Sequence, residues 1–113
     1  AKNEAKAAEK GANRVTVHAK KPTIDEKRSK HTFGNRDGHL QDTPENRKLL
    51  EDTAADKGNF LGTDGYGNDC YAKVLDDGSQ VWTYVRDGKV VNGGLNAVAK
   101  TYNSLTGLSA PGK

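Results

Sequence analysis

Hydrophobic and polar positions follow two different rhythms along this chain, and the change falls near residue 60. Before it, "DTPENRKLLEDTAADKG" has a helical period: Leu49, Leu50, Thr53 and Ala54 share one face. Asp42 or Thr43 can cap this helix, Pro44 suits its first turn, and Glu45 suits the positive end of its dipole. Gly58 supplies a stop, so the pattern predicts a helix over 43–57. After residue 60 the period drops to two. "CYAKVL", "SQVWTYVR" and "KVVNGGLN" read as three short strands joined at Asp77-Gly78 and Asp87-Gly88. One more edge strand is expected near Lys100 to Tyr102, followed by a loose Gly/Pro/Ser end. At the other terminus, "AKNEAKAAEKGANR" has helix-forming residues but almost no large apolar one, so it reads as a frayed helix or linker stopped at Gly11. Val15 to Val17 is a short β-like run. Lys20 to Lys30 reads as a solvated linker, or as an arm lying across a partner.

This order of elements predicts an α+β fold, with N-terminal helices packed on a small antiparallel β-sheet of three to five strands. Residues 1–30 form a flexible or partly helical basic lead-in, and residues 31–113 form the domain. Two-residue turns at both Asp-Gly pairs would set Lys73 opposite Trp82, Tyr71 opposite Tyr84, and Arg86 opposite Lys89. One face then holds Cys70, Ala72, Val74, Val81, Thr83, Val85, Val90 and Asn92, and is expected to pack on the helix. The other holds Tyr71, Lys73, Leu75, Gln80, Trp82, Tyr84, Arg86, Lys89 and Val91, interleaving aromatics with cations. Rings of this kind stack on bases, and Lys or Arg holds phosphates. An outward face that merely shields the sheet has the same composition. A bulge in either hairpin would exchange the faces and bring Thr83 and Asn92 forward.

Charge sharpens the picture by its distribution. The net charge is +3, yet residues 1–30 carry nine Lys/Arg against four Asp/Glu, while residues 31–113 carry nine against eleven. The basic excess is N-terminal, so an anion site in the body must be a local patch. A single cysteine, Cys70, rules out an intrachain disulfide, and no apolar stretch has the length of a membrane span. The chain lacks an initiating Met and reads as a piece of something longer.

The stretch "KHTFGNRDGH" concentrates the candidate chemistry. His31 and His39 lie in it with Lys30 and Arg36. Such a group suits a metal site, acid–base chemistry on a phosphate, or a solvated loop. Zinc wants four N/S ligands, or three plus water, and only His18 and Cys70 could join the pair, so no metal ligand is assigned. No nucleophile motif accompanies the histidines. Phosphoryl transfer within RNA needs one group to take the 2′-hydroxyl proton, another to protonate the leaving 5′-oxygen, and cations for the charged phosphorus. Histidine suits both proton roles near neutrality, and no cofactor is required. His31 and His39 are therefore the expected acid–base pair. Lys73 and Arg86 are the expected transition-state cations, and Trp82, Tyr84 and Arg36 are the expected substrate contacts.

The run of H-x-F and G-H, the Thr-Pro-Glu-Asn-Arg helix, G-T-D-x-Y-G-N, Y-A-K, Q-V-W, V-R-x-G-K and N-G-G-x-N spans residues 31 to 96. It resembles the C-terminal toxin domains of bacterial polymorphic toxins, the tips of CdiA-type contact-dependent inhibition proteins and Rhs-type effectors. Cys70 stands where a large aromatic would be expected, and Ala97-Val98-Ala99 where a proline would. By order of elements, the resemblance implies a ribonuclease of the barnase/EndoU/colicin/RelE arrangement. It implies a secreted or cell-surface effector tip that acts in the cytoplasm of a neighbouring bacterium. The implied target is tRNA, cleaved without metal through its 2′-hydroxyl. A cognate immunity protein would block the site, the toxin being a monomer or a heterodimer with it. A metal-dependent DNase toxin and a nucleic-acid-binding module without chemistry are the rival readings.

Overall fold

The computed structural model describes residues 21–108. The helix expected before Gly11, the Val15–Val17 run, His18 and the final Gly/Pro/Ser residues lie outside the described residues. Within them the fold is α+β. Strand β1 (Thr23–Ile24) comes first, then the short helix α1 (Ser29–Thr32), helix α2 (Pro44–Ala55), and strands β2 (Phe60–Thr63), β3 (Asp69–Val74), β4 (Gln80–Arg86) and β5 (Lys89–Asn96). A small hairpin closes the described residues, β6 (Tyr102–Asn103) and β7 (Gly107–Leu108).

Among the described residues, five strands form one sheet in the order β1-β5-β4-β3-β2. The four later strands are antiparallel, but β1 pairs with β5 in parallel, so the sheet is mixed and not purely antiparallel. The helices follow β1 in the chain. The lead-in expected up to residue 30 is likewise partly built into the fold. Thr23 and Ile24 extend the sheet, Ile24 is buried, and α1 begins at Ser29.

Helix α2 forms for the reasons legible in its sequence. Thr43 Oγ1 accepts the Asn46 backbone N–H at 3.1 Å, and Pro44 opens the first turn, where its missing N–H costs nothing. The helix ends at Ala55, before the expected stop. Asp56 then turns the chain by accepting from Gly58 N at 2.8 Å, which starts a 3-10 turn over Lys57–Asn59. Leu50, Thr53 and Ala54 are buried against the sheet, and Leu49 is partly buried. Full burial of a side chain such as Leu50 contributes roughly 1.5–3 kcal/mol.

The two hairpins differ. Asp87 (φ 54) and Gly88 (φ 75) make the expected two-residue turn, and Arg86 does face Lys89. The first hairpin uses three residues, Asp76 to Gly78. Gly78 N donates to Leu75 O, Leu75 N donates to Ser79 O, and Gly78 takes a φ of 86 that favours glycine. Asp77 also accepts from the Ser79 N–H and hydroxyl, which favours the longer loop. The extra residue moves the register by one: Ala72 opposes Trp82 and Lys73 opposes Val81. Every β3 side chain therefore lies on the face opposite to the expected one. A bulge near Tyr84 and Val85 then shifts the β4–β5 pairing, so Tyr84 faces Asn92.

The result is a core on each side of the sheet. On the helix side, Ile24, Phe33, Leu50, Ala54, Val81, Val85 and Val90 pack together. On the other side, Cys70, Trp82, Tyr84 and Val91 pack beneath Tyr102 and Leu108 of the C-terminal hairpin.

Two successive glycines serve the two faces separately. A Cβ on Gly93 would meet Leu50 Cδ1 at 2.9 Å, so this glycine lets α2 approach the sheet. A Cβ on Gly94 would lie 1.8 Å from the Gly38 carbonyl oxygen, so this one admits the loop after α1.

Candidate functional site

The residues of "KHTFGNRDGH" have a structural task first. Helix α1 ends at Thr32 with carbonyls that lack helical partners. The Arg36 guanidinium donates to the carbonyls of Lys30 and His31, and the His39 ring bonds the carbonyl of Thr32 at 2.9 Å. The cationic Arg36 suits this negative helix end. The loop closes on itself through His39 N to Arg36 O (3.1 Å) and Gly34 N to Leu40 O (2.9 Å).

The bond to Thr32 also places one proton of His39. A carbonyl only accepts, so Nδ1 must carry the proton, and in the neutral ring Nε2 keeps its lone pair. The imidazole lies edge-on to Trp82, with centroids 5.6 Å apart and planes at 75°. Packing and one hydrogen bond thus fix the ring while one nitrogen remains free to accept a proton.

The floor beside the loop is equally constrained. The Gly38 carbonyl accepts from both Trp82 Nε1 (3.1 Å) and Leu95 N (3.0 Å). Gln80 holds the chain beyond β5: its Oε1 accepts from Asn96 Nδ2 and Lys100 N, and its Nε2 donates to Lys100 O. A groove of about 320 Å³ runs between these parts, lined by Asp37, Gly38, Leu95, Asn96, Ala97, Val98 and Lys100.

The expected site residues are distributed unevenly around this centre. His31 and Arg36 lie with His39 on the loop and α1, both exposed, and Lys30 is exposed beside them. Trp82 and Tyr84, expected as substrate contacts, are buried at 8% and 9% exposure, so their rings do not stand open to stack on a base. Trp82 is fixed by the Gly38 carbonyl, and Tyr84 OH accepts from Leu108 N at 2.8 Å beneath the C-terminal hairpin. Lys73 does not share their face, because the three-residue loop turns β3 over. Arg86 keeps the Trp82 side but lies at the far end of β4, where it donates to Tyr66 O at 3.3 Å. Gln80, Asn96, Gly94 and Lys100 were not singled out as site residues. The signal for Gly94 and Asn96 was "NGGLN", where adjacent glycines mark close approaches on both faces; Gln80 and Lys100 had none.

A second polar cluster lies under the other end of the C-terminal hairpin. Buried Asp64 accepts from Tyr66 N, Asn68 N and Asn68 Nδ2, which shapes the Gly65–Asn68 turn. Burial, then the nearby Asp64 charge, pushes the Cys70 thiol up to about 12. This thiol is a core residue and a poor nucleophile. Burial likewise pushes the Tyr84 phenol up to about 12.

Among the described residues, no group of three or more His, Cys, Asp or Glu is placed to hold a metal ion. None of their helices is long and apolar enough to cross a membrane. Comparison of the chain with family models, curated proteins and solved structures gave no match.

Proposed function

We propose that this protein is a ribonuclease toxin that cleaves RNA, with tRNA as the favoured substrate, by metal-independent attack of the 2′-hydroxyl. The supporting observation is the geometry at His39: Nδ1 is held on the Thr32 carbonyl, which leaves Nε2 for the base role. In this reading Nε2 takes the 2′-hydroxyl proton, and the freed oxygen attacks the adjacent phosphorus. The bond to the 5′-oxygen breaks, and His31 protonates that oxygen. The products are a 2′,3′-cyclic phosphate and a 5′-hydroxyl. Lys100, across the neighbouring groove, and Lys30 supply positive charge for the phosphate, in place of Lys73 and Arg86. Delivery into a neighbouring bacterium and neutralisation by an immunity protein belong to the same reading and rest on the resemblance to polymorphic toxins.

A nucleic-acid-binding module without chemistry is favoured by one observation. Arg36 and His39 are already used by the fold as caps of α1. Cleavage by the wild-type chain separates the two readings, and His39→Asn tests the base, because the Asn amide retains a donor near the Nδ1 position and removes the free base. The purified chain is incubated with tRNA, with and without EDTA, and the product ends are analysed. The expected result is cleavage in EDTA leaving cyclic phosphate, and a loss of roughly a hundredfold or more in His39→Asn at an unchanged melting temperature. tRNA bound but left intact by the wild-type chain would support the binding module, wild-type activity in His39→Asn would remove His39 as the base, and strict dependence on added magnesium or zinc would support a metal nuclease.

A further inference from the structure

The flipped register of β3 places Tyr71, Asp69 and Lys73 on the helix side of the sheet. Helix α2 ends at Ala55 and leaves Tyr71 half-buried. A groove of about 320 Å³ opens there, lined by Lys21, Pro22, Ala54, Ala55, Lys57, Asp69, Tyr71, Val85 and Gly88. It lies on the other side of the sheet from Trp82, toward the Asp87-Gly88 turn, away from the His39 loop.

The lining divides by chemistry. Ala54, Val85 and the Tyr71 ring form an apolar floor, and Phe60, about half exposed, meets Tyr71 edge-on with centroids 5.5 Å apart. Lys57 stands exposed on one rim and Lys21 on the other, the latter bonded to Asp52 at 2.5 Å. Asp52 also holds Lys48, so it retains a cation if Lys21 swings into the groove. Asp69 Oδ1 accepts from Thr63 Oγ1 at 2.9 Å, and among the described residues its other oxygen has no hydrogen bond.

A simple anion does not account for this lining, because Asp69 would repel it. A plain apolar ring does not account for the two lysines. A ligand that joins a flat ring carrying hydrogen-bond donors to an anionic group satisfies every part. The volume is at the lower end of small-molecule sites, about 300–1,000 Å³, which matches a single nucleotide.

We propose that this groove binds one nucleotide, its base against Tyr71, its phosphate between Lys21 and Lys57, and its exocyclic amino group donating to Asp69. The inference goes beyond RNA cleavage and does not rest on it. A carboxylate accepts from cytosine N4 but faces an acceptor, O4, in uracil. The site should therefore prefer an amino-bearing base to uracil.

Backbone-amide NMR titration of the full chain tests this, using CMP, UMP, cytidine, phenyl phosphate and inorganic phosphate as probes. CMP is expected to shift the amides of Lys57, Tyr71 and Gly88 saturably, and to bind about tenfold more tightly than UMP. Cytidine and inorganic phosphate should each bind more weakly than CMP, since each lacks half of the ligand. Asp69→Asn keeps the side-chain shape and an acceptor for Thr63 but turns a donor toward the base, so it should abolish or reverse the preference for CMP over UMP. Lys57→Gln, at an exposed position, should weaken both nucleotides several-fold and leave their ratio unchanged. Higher salt should act in the same direction. The proposal is overturned if no nucleotide shifts these amides saturably, if phenyl phosphate binds as well as CMP, or if Asp69→Asn leaves the preference intact.

Discussion

Gly94→Ala puts the packing of the His39 loop to a direct test. The added Cβ would lie 1.8 Å from the Gly38 carbonyl oxygen and 2.9 Å from His39 Cα, both backbone atoms that cannot swing aside. Gly94 has an ordinary backbone conformation, so the cost is steric and not one of strain. To relieve the clash, the loop must retreat and Gly38 must release Trp82 Nε1 and Leu95 N. Each stranded buried donor costs about 1–3 kcal/mol. Alanine recovers about 0.4–1 kcal/mol by stiffening the unfolded chain. The expected net loss is about 1–5 kcal/mol, a large part of the roughly 5–15 kcal/mol typical of a domain. Urea unfolding followed by the fluorescence of Trp82, the chain's one tryptophan, measures it at a known reporter of the loop. Gly67→Ala is the control, since a Cβ there meets nothing within 4 Å and only its φ of +86 opposes the change. That variant should lose about 1–2 kcal/mol. If Gly94→Ala stays within about 0.5 kcal/mol of wild type, the loop does not rest on Gly94 and the placement of His39 argued from it fails.

Two further expectations follow from burial and capping. Cys70 and Tyr84 are held neutral in the fold, each pushed up to about 12 from ordinary values of 9.0 and 10.0. The folded state therefore keeps protons that the unfolded state has lost. This stabilisation is complete below about pH 9 and falls away as pH rises toward 12, so the urea midpoint should decline across that window. Native Cys70 should also resist a thiol reagent at pH 8 until urea unfolds the chain; rapid native labelling would contradict its burial. Thr43→Ala removes the side-chain cap of α2 and should cost about 0.5–2 kcal/mol in the same urea assay. An unchanged midpoint would mean that the cap is dispensable.

The elements were legible in the sequence wherever local chemistry decided them. Thr43, Pro44 and the Leu49–Leu50–Ala54 face marked α2, and Asp87-Gly88 marked a true two-residue turn. The first hairpin was not legible to the same degree. Asp-Asp-Gly supports two- and three-residue loops alike, and the choice depends on Asp77 reaching the Ser79 N–H and hydroxyl. That one residue decided which way all of β3 faces, and with it the company of Lys73. The burial of Trp82 and Tyr84 was hidden for a different reason. It depends on residues 102–108 folding back over the sheet and, for Trp82, on the Gly38–His39 loop reaching it from 44 residues away, contacts that no local period records. The parallel pairing of β1 was hidden in the same way, since two residues, Thr23 and Ile24, are too few to show a period. The density of His and Arg in "KHTFGNRDGH" was visible, but its use as a cap was not, because α1 is only one turn long.

The parallel seam between β1 and β5 bears on the order in which this molecule assembles and comes apart. Strands β2 to β5 are sequence neighbours joined by short connections, whereas Thr23 waits for Lys89, so closing that seam encloses most of the chain. Long closures carry the greater entropic cost and form late, after the meander and α2 offer a surface to dock on. Tension applied at residue 21 would load the Thr23–Ile24 pairing before any hairpin. A pull from the N-terminal side should therefore peel β1 from the sheet edge first and expose Val90 while the antiparallel strands still hold.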